Sequence, residues 1–196
     1  MPAERPNPFA SRAGEKLAAA LDRFALDPAG WICADLGSNV GGFVDCLLQR
    51  GAERVYAVDT AYGELAWKLR KHPRVVVRER TNALHVTLPE EVQLVTIDVG
   101  WTRQRHILPS AVKLLGPGGR ILSLVKPHYE APPAWLRRGV LPDEKVAVVV
   151  DTVAASLKGL GVELLDQAAS PLPGRAGNRE VWFSLRPLPD AVQSRS

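Results

Sequence analysis

Ala34-Asp-Leu-Gly-Ser-Asn-Val-Gly-Gly-Phe43 is the end of an apolar strand that runs into a glycine-containing turn and then opens a helix. Glycines in such a turn let a ligand approach the backbone closely, and open α/β sheets bind ligands at the carboxyl ends of their strands. The spacing is not Gly-x-Gly-x-x-Gly, which disfavours a pyrophosphate-binding dinucleotide fingerprint. Asp35 argues the same way, because a carboxylate repels phosphate and suits a cationic ligand group. Gly37, Ser38, Asn39, Gly41, Gly42 and Phe43 join Asp35 as candidate ligand contacts; a tight turn that simply needs glycine is the structural alternative.

Outward from this stretch, short apolar runs alternate with amphipathic ones, the signature of βα units around a parallel sheet. The runs predict strands at 31–36, 54–58, 75–78, 94–98 and 120–125, with helices at 42–50, 65–71 and 106–115 between them. An earlier helix is predicted over 15–24, where Leu17, Leu21 and Phe24 share a face and Lys16 sits near the start. Gly116-Pro-Gly-Gly119 is expected to stop the 106–115 helix and feed the fifth strand, as Gly and Pro do at helix ends. A helix over 142–159 and strands at 161–168 and 180–185 complete a seven-stranded α/β domain over 10–186. Residues 1–9, with Pro2, Pro6 and Pro8, are expected to form a flexible arm, and the polar 187–196 a flexible tail.

A second acidic residue, Asp59, ends the strand after the glycine turn, where a carboxylate can accept hydrogen bonds from two ribose hydroxyls. The third strand leads to Asn82 and Ala83, placed to cap an adenine ring and bond its amino group, although Asn82 also suits a turn. A cationic amino acid group, a ribose and an adenine together describe S-adenosyl-L-methionine. Asp98 and Lys126 end the fourth and fifth strands at the same edge of the sheet. Read alone, Asp98 is also a turn or cap residue, Lys126 a snorkelling surface lysine, Lys16 a solvated helix charge and Glu180 an exposed strand residue.

With 196 residues, 46% of them hydrophobic, the chain can bury one sizeable core and is too short for two comfortable domains. No apolar run approaches the ~20 residues of a membrane span, and no apolar stretch follows the N-terminal charges as in a secretory signal. A soluble, cytoplasmic protein without membrane contact is expected. Cys33 and Cys46 lack metal-ligand spacing and read as reduced core residues, so no metal is expected. The net charge of +4 and pI near 9.3 permit a polyanionic partner. Basic clusters at Arg70-Lys71-His72, Arg78-Glu79-Arg80, Arg103-Gln-Arg105-His106 and Arg137-Arg138 all fall near the ends of predicted elements.

Several motifs in order carry a more specific likeness: Ser11-Arg-Ala-Gly-Glu-Lys-Leu, Asp35-Leu-Gly-Ser-Asn-Val-Gly-Gly-Phe, Asp45-Cys-Leu-Leu-Gln-Arg-Gly-Ala, Val55-Tyr-Ala-Val-Asp59, Leu65-Ala-Trp-Lys-Leu-Arg, Glu79-Arg-Thr-Asn-Ala, Leu124-Val-Lys-Pro and Gly177-Asn-Arg-Glu180. Together they resemble the TlyA branch of the FtsJ-like RNA 2′-O-methyltransferases over residues 9–186. The resemblance implies a Rossmann-like class I methyltransferase fold, a seven-stranded, mostly parallel sheet with helices on both faces and an antiparallel last strand. It also implies S-adenosyl-L-methionine as cofactor, ribosomal RNA as partner, and a catalytic tetrad of Lys16, Asp98, Lys126 and Glu180, with Asp98 also beside the cofactor. In that chemistry Lys126 takes or steers the 2′-hydroxyl proton, Lys16 lowers its pKa by like-charge repulsion, and the two carboxylates orient the amines.

The branch carries an N-terminal S4 RNA-binding domain, for which the residues before Ser11 leave no room. After Asp98 its members continue with a Ser-Phe-Ile-Ser-like stretch, whereas Val99-Gly-Trp-Thr-Arg-Gln-Arg105 follows here, and the segment after Lys126, which includes His128 and Tyr129, also departs from the branch. Two other readings keep the fold: a methyltransferase with a non-RNA acceptor, and a non-catalytic RNA-binding or assembly factor. An intact tetrad argues against both. No segment reads as membrane-active, which speaks against the haemolysin label that some members carry.

Overall fold

The computed structural model describes residues 7–189; the parts of the predicted arm and tail at 1–6 and 190–196 lie outside the described residues. The elements run α1 (Ala13–Arg23), β1 (Ile32–Leu36), α2 (Gly42–Gln49), β2 (Arg54–Val58), α3 (Trp67–Arg70), β3 (Val75–Arg78), β4 (Val92–Ile97), α4 (Gln104–Val112), β5 (Leu115–Val125), α5 (Pro127–Glu130), α6 (Asp143–Ser156), β6 (Val162–Ala169) and β7 (Val181–Pro187). The strands form one sheet in the order β3-β2-β1-β4-β5-β7-β6. The first five strands pair in parallel, and β7 runs antiparallel to both β5 and β6. This is the Rossmann-like methyltransferase architecture expected from the sequence.

Side-chain alternation along the strands divides the core in two. Cys33, Val55, Ala57, Leu94, Leu122, Leu124 and Trp182 pack with Leu17 and Leu21 of α1, Phe43, Val44 and Leu47 of α2, and Leu69 of α3. Ala34, Leu36, Val58, Val95, Ile97, Ile121 and Phe183 pack on the opposite face with Ile107 and Leu108 of α4 and Val150 and Val153 of α6. The strand order reverses between β1 and β4, so the carboxyl ends of these two strands flank the crevice in which such sheets bind ligands.

Four expectations change in detail. Leu114 donates its backbone N–H to Ala111 O as α4 ends, at Val112 rather than 115. Leu115 then already pairs with Val92, so Gly116-Pro-Gly-Gly119 lies inside β5, where it takes up a register shift, and does not terminate a helix. The 65–71 helix contracts to the single turn of α3, because Ala66 is extended and donates to Val40 O. The fourth strand begins at Val92 and stops at Ile97, which leaves Asp98 as the first residue beyond it. At the two chain ends, Phe9 packs against Gly14, and Leu188 N donates to Gly161 O beyond the last rung of β7. No helix among the described residues is long and apolar enough to cross a membrane.

Gly37 sets how closely β1 and β4 approach at the crevice. Its φ is +92°, and a Cβ there would lie 2.6 Å from the backbone oxygen of Asp98. Gly37→Ala is expected to cost about 2 kcal/mol or more, from left-handed backbone strain and the backbone clash together. Gly30, at φ +74°, has nothing within 4 Å of the same Cβ, so Gly30→Ala carries the strain without the clash. Urea denaturation of the two variants should show the larger loss at Gly37.

Candidate active site

The loops at the carboxyl edge enclose two adjoining cavities, of about 460 and 310 Å3. Gly37, Asn39, Asp98, Gly100 and Trp101 line both. The larger adds Ser11, Lys16, Asp35, Ser38, Gly42, Phe43, Lys126, His128, Tyr129 and Glu180, and the smaller adds Asp59, Thr81, Asn82 and Ala83. Of the residues singled out in the sequence, only Gly41 lines neither. It caps α2 with φ +99° against Leu65 and Leu69. Phe43 reaches the cavity but is a core ring, 5.5 Å from Trp182.

Asp35 is buried, and its register opposite Thr96 puts the two on one face of the sheet, where Thr96 Oγ1 donates to Asp35 Oδ1 at 2.8 Å. Oδ2 has no hydrogen-bond partner. Burial pushes the Asp35 carboxyl up to about 8, with Asp98 and Asp59 adding repulsion and the Thr96 hydrogen bond opposing the rise. A buried acceptor with no donor is costly, and Asp35 carries this one at the wall of the larger cavity. Asp59 is better satisfied. Its Oδ2 accepts from Asn39 N and its Oδ1 from Ala61 N, both at 2.8 Å, and each oxygen keeps a lone pair for a hydroxyl. Asn82 accepts from Leu84 N at 2.9 Å, which makes it a turn residue at the cavity rim.

At the other end of the cleft stand two lysine–carboxylate pairs from four separate elements. Lys16 Nζ of α1 donates to Glu180 Oε2, just before β7, at 2.6 Å; both side chains are largely buried. Lys126 Nζ, directly after β5, lies 2.7 Å from Asp98 Oδ1 and donates to Val99 O at 3.2 Å. The Asp98 contact is close but off the hydrogen-bond direction, so that oxygen also lacks a proper donor. Desolvation raises the Glu180 carboxyl above its ordinary range against the opposing pull of Lys16. Gly174 has no room for a side chain beside Glu180: a Cβ would fall 2.3 Å from Oε1. Asn178, itself buried, accepts from Leu141 N and donates to Gly139 O, tying the approach to β7 to the loop before α6.

Trp101 lies at the mouth, 87% exposed, with a left-handed φ of +57° and its ring stacked on Tyr129 at 4.8 Å. Tyr129 in turn touches His128 and lies under the Lys126 ammonium. Burial, with Lys126 beside it, lowers the His128 pKa, so the imidazole is neutral at pH 7. No local pattern points to the Thr96–Asp35 bond, which depends on register, or to the Asn178 anchor. Asn178 falls inside a quoted motif, but its partners are 37 and 39 residues away.

A family model described as FtsJ-like methyltransferase matches residues 9–186. The chain belongs to the FtsJ-like methyltransferase family. Within it, the 16S/23S rRNA (cytidine-2′-O)-methyltransferase TlyA of Mycobacterium tuberculosis is 41% identical over 95% of this chain and 71% of its own length. The 23S rRNA (cytidine-2′-O)-methyltransferase TlyA of Campylobacter jejuni is 30% identical over 89% of this chain and 70% of its own. Among solved structures, a Streptococcus thermophilus protein provisionally designated a hemolysin superposes with a TM-score of 0.91 at 33% identity, covering 95% of this chain and 70% of that one. An S-adenosylmethionine dependent methyltransferase from Mesorhizobium loti shares the fold alone, with a TM-score of 0.67 at 18% identity over 90% of this chain and all of that one.

The buried Asp35 makes a pH-dependent prediction. Its folded pKa lies above the ordinary 3.8, so the protonated form stabilises the cofactor-free protein below that value, and this contribution is lost as pH rises through about 8. Asp35→Asn removes the titration while keeping an oxygen for Thr96. In urea denaturation without cofactor, the variant should gain stability over the parent progressively between pH 4 and 8 and hold a constant advantage above.

Proposed function

We propose that the chain is an S-adenosyl-L-methionine-dependent RNA 2′-O-methyltransferase acting on ribosomal RNA. The observation that carries this reading is the convergence of Lys16–Glu180 and Lys126–Asp98 on one cavity that adjoins a second cavity fit for an adenosine. The cofactor fits the residues present: the unpartnered Oδ2 of Asp35 suits its ammonium, the free lone pairs of Asp59 its ribose, and the pocket floored by Ala83 its adenine. When bound, it supplies an activated methyl group on a sulfonium.

The residues of the chain then have to align and deprotonate a hydroxyl, a poor nucleophile at neutral pH. Lys126 has three N–H directions; Val99 O takes one while Asp98 holds the ammonium as an ion pair, which leaves N–H groups for an acceptor oxygen in the cavity. Lys16, fixed by Glu180, adds a second positive charge that favours a developing alkoxide. Asp98 lies on the border of both cavities and holds Lys126 toward the transfer point. The exposed Trp101–Tyr129 stack gives an unpaired base a flat surface beside these charges, and the exposed Arg12 at the rim suits a phosphate. Two relatives named as rRNA (cytidine-2′-O)-methyltransferases support the choice of RNA and of a ribose oxygen. Action on ribosomal RNA would place the protein in the cytoplasm.

Purified protein incubated with tritiated cofactor and RNA stripped of native modifications should deposit label in a 2′-O-methylnucleoside after nuclease digestion. Lys126→Ala should lower the rate by about 100-fold or more with cofactor affinity little changed. Cofactor binding without label in naked or ribosomal RNA would sink the RNA reading.

A further inference from the structure

The segment after Asp59 carries a surface that the catalytic reading leaves unused. Residues 61–80 hold six Lys and Arg against two Glu, a surplus of four that equals the net charge of the whole chain. Glu79 is neutralised by Arg70, and Lys68 by Asp45. Lys71, Arg78 and Arg80 have no carboxylate within ion-pair distance among the described residues. Two large aromatic side chains stand out from the same segment, Tyr62 at 66% and Trp67 at 69% exposure. Each has a cation over its ring: Arg80 lies 4.1 Å from the centre of Tyr62, and Lys71 Nζ 4.7 Å from that of Trp67.

This surface is held in place by the backbone. Glu79 accepts from Gly63 N, Arg80 N donates to Ala61 O, Ala66 N to Val40 O, and Ala61 N to Asp59. Arg80 itself is kept at φ +53°, a conformation unfavourable for a residue with a side chain. Strain and exposed aromatics on a fixed loop are poor choices for stability and good ones for binding. The surface also borders the cleft, since Asp59, Thr60, Thr81 and Asn82 line the smaller cavity, next in the chain to Tyr62 and Arg80.

Resting on the RNA reading above, we propose that Tyr62 and Trp67, with Arg80 and Lys71, form a docking surface for single-stranded RNA beside the rim of the smaller cavity, where it holds a stretch of the strand away from the methylated nucleotide. Unpaired bases stack on the two rings, and the cations over those rings meet the adjoining phosphates. Aromatic faces interleaved with unpaired cations are what a single strand requires, whereas a duplex keeps its bases stacked and presents only phosphates and groove edges.

The test uses the full chain and a fluorescein-labelled single-stranded oligoribonucleotide, with affinity read by anisotropy across a salt series. The Tyr62→Ala/Trp67→Ala variant should bind roughly tenfold more weakly for each ring removed, with an unchanged salt slope. Tyr62→Phe/Trp67→Phe should restore most of the affinity. Arg80→Gln/Lys71→Gln should weaken binding and flatten the dependence of log K on log salt by about 1.4, the counterion release of two single-strand phosphate contacts. Cofactor affinity, measured by calorimetry, should be the same in all four proteins. Unchanged RNA affinity in the alanine variant overturns the docking surface while RNA methylation by the parent stands. A matching loss of cofactor affinity makes the rings structural and overturns it too. A parent that neither binds nor methylates RNA removes the RNA reading, and the docking surface with it.

Discussion

Everything at the cleft depends on the close approach of β1 and β4 where the strand order reverses. Gly37 meets the Asp98 carbonyl with no side chain between them, and the in-register pair Asp35 and Thr96 lies two rungs deeper in the sheet. That contact fixes Asp98 beside the glycine turn that lines both cavities. Because β5 pairs with β4 on its other side, Lys126 emerges one strand away from Asp98 and within reach of it. A wider gap would separate the two cavities and break the ion pair that holds the Lys126 ammonium against Asp98 at the border between them.

Three carboxylates, Asp35, Asp59 and Asp98, gather at the ends of three adjacent strands, and each is treated differently. Asp59 has two backbone amides, Asp98 has a lysine, and Asp35 has one hydroxyl and an orphaned oxygen in a dry setting. Burial first, and repulsion from Asp98 and Asp59 after it, make a charge on Asp35 costly in the empty site. A cation entering the cleft relieves both the desolvation and the repulsion. Electrostatics therefore favour a positively charged ligand over a neutral one of the same shape, and they exclude phosphate from this turn although the fold elsewhere uses it to bind phosphates.

Much of this was legible in the sequence, and the boundary of legibility has physical causes. The βα alternation, the glycine turn and the charges ending strands are local patterns, and the strands and the two cavity edges follow from them. The Gly116–Gly119 run misled, because Gly and Pro mark a break in regular structure without saying whether a helix ends or a strand shifts register. Lys16 and Glu180 are 164 residues apart and look like ordinary surface charges on their own elements. Only the antiparallel insertion of β7 between β5 and β6 brings Glu180 to α1, and no local pattern encodes that. Likeness to a family supplied what local physics could not.

The Lys16–Glu180 pair shows why the cleft is better understood as a site than as a structural device. Both side chains are largely removed from water, and the desolvation of a buried ion pair commonly offsets its attraction, so apolar residues of similar volume serve folding as well or better. Glu180 bears that cost openly, since burial raises its carboxyl even with the ammonium 2.6 Å away. Its neighbourhood is arranged around it all the same. Gly174 leaves it space, and Asn178, two residues earlier, anchors the chain to the loop before α6. A fold that spends several buried polar groups to hold one weakly stabilising pair at a cavity wall, beside a second pair of the same composition, supports the chemistry proposed for that cavity.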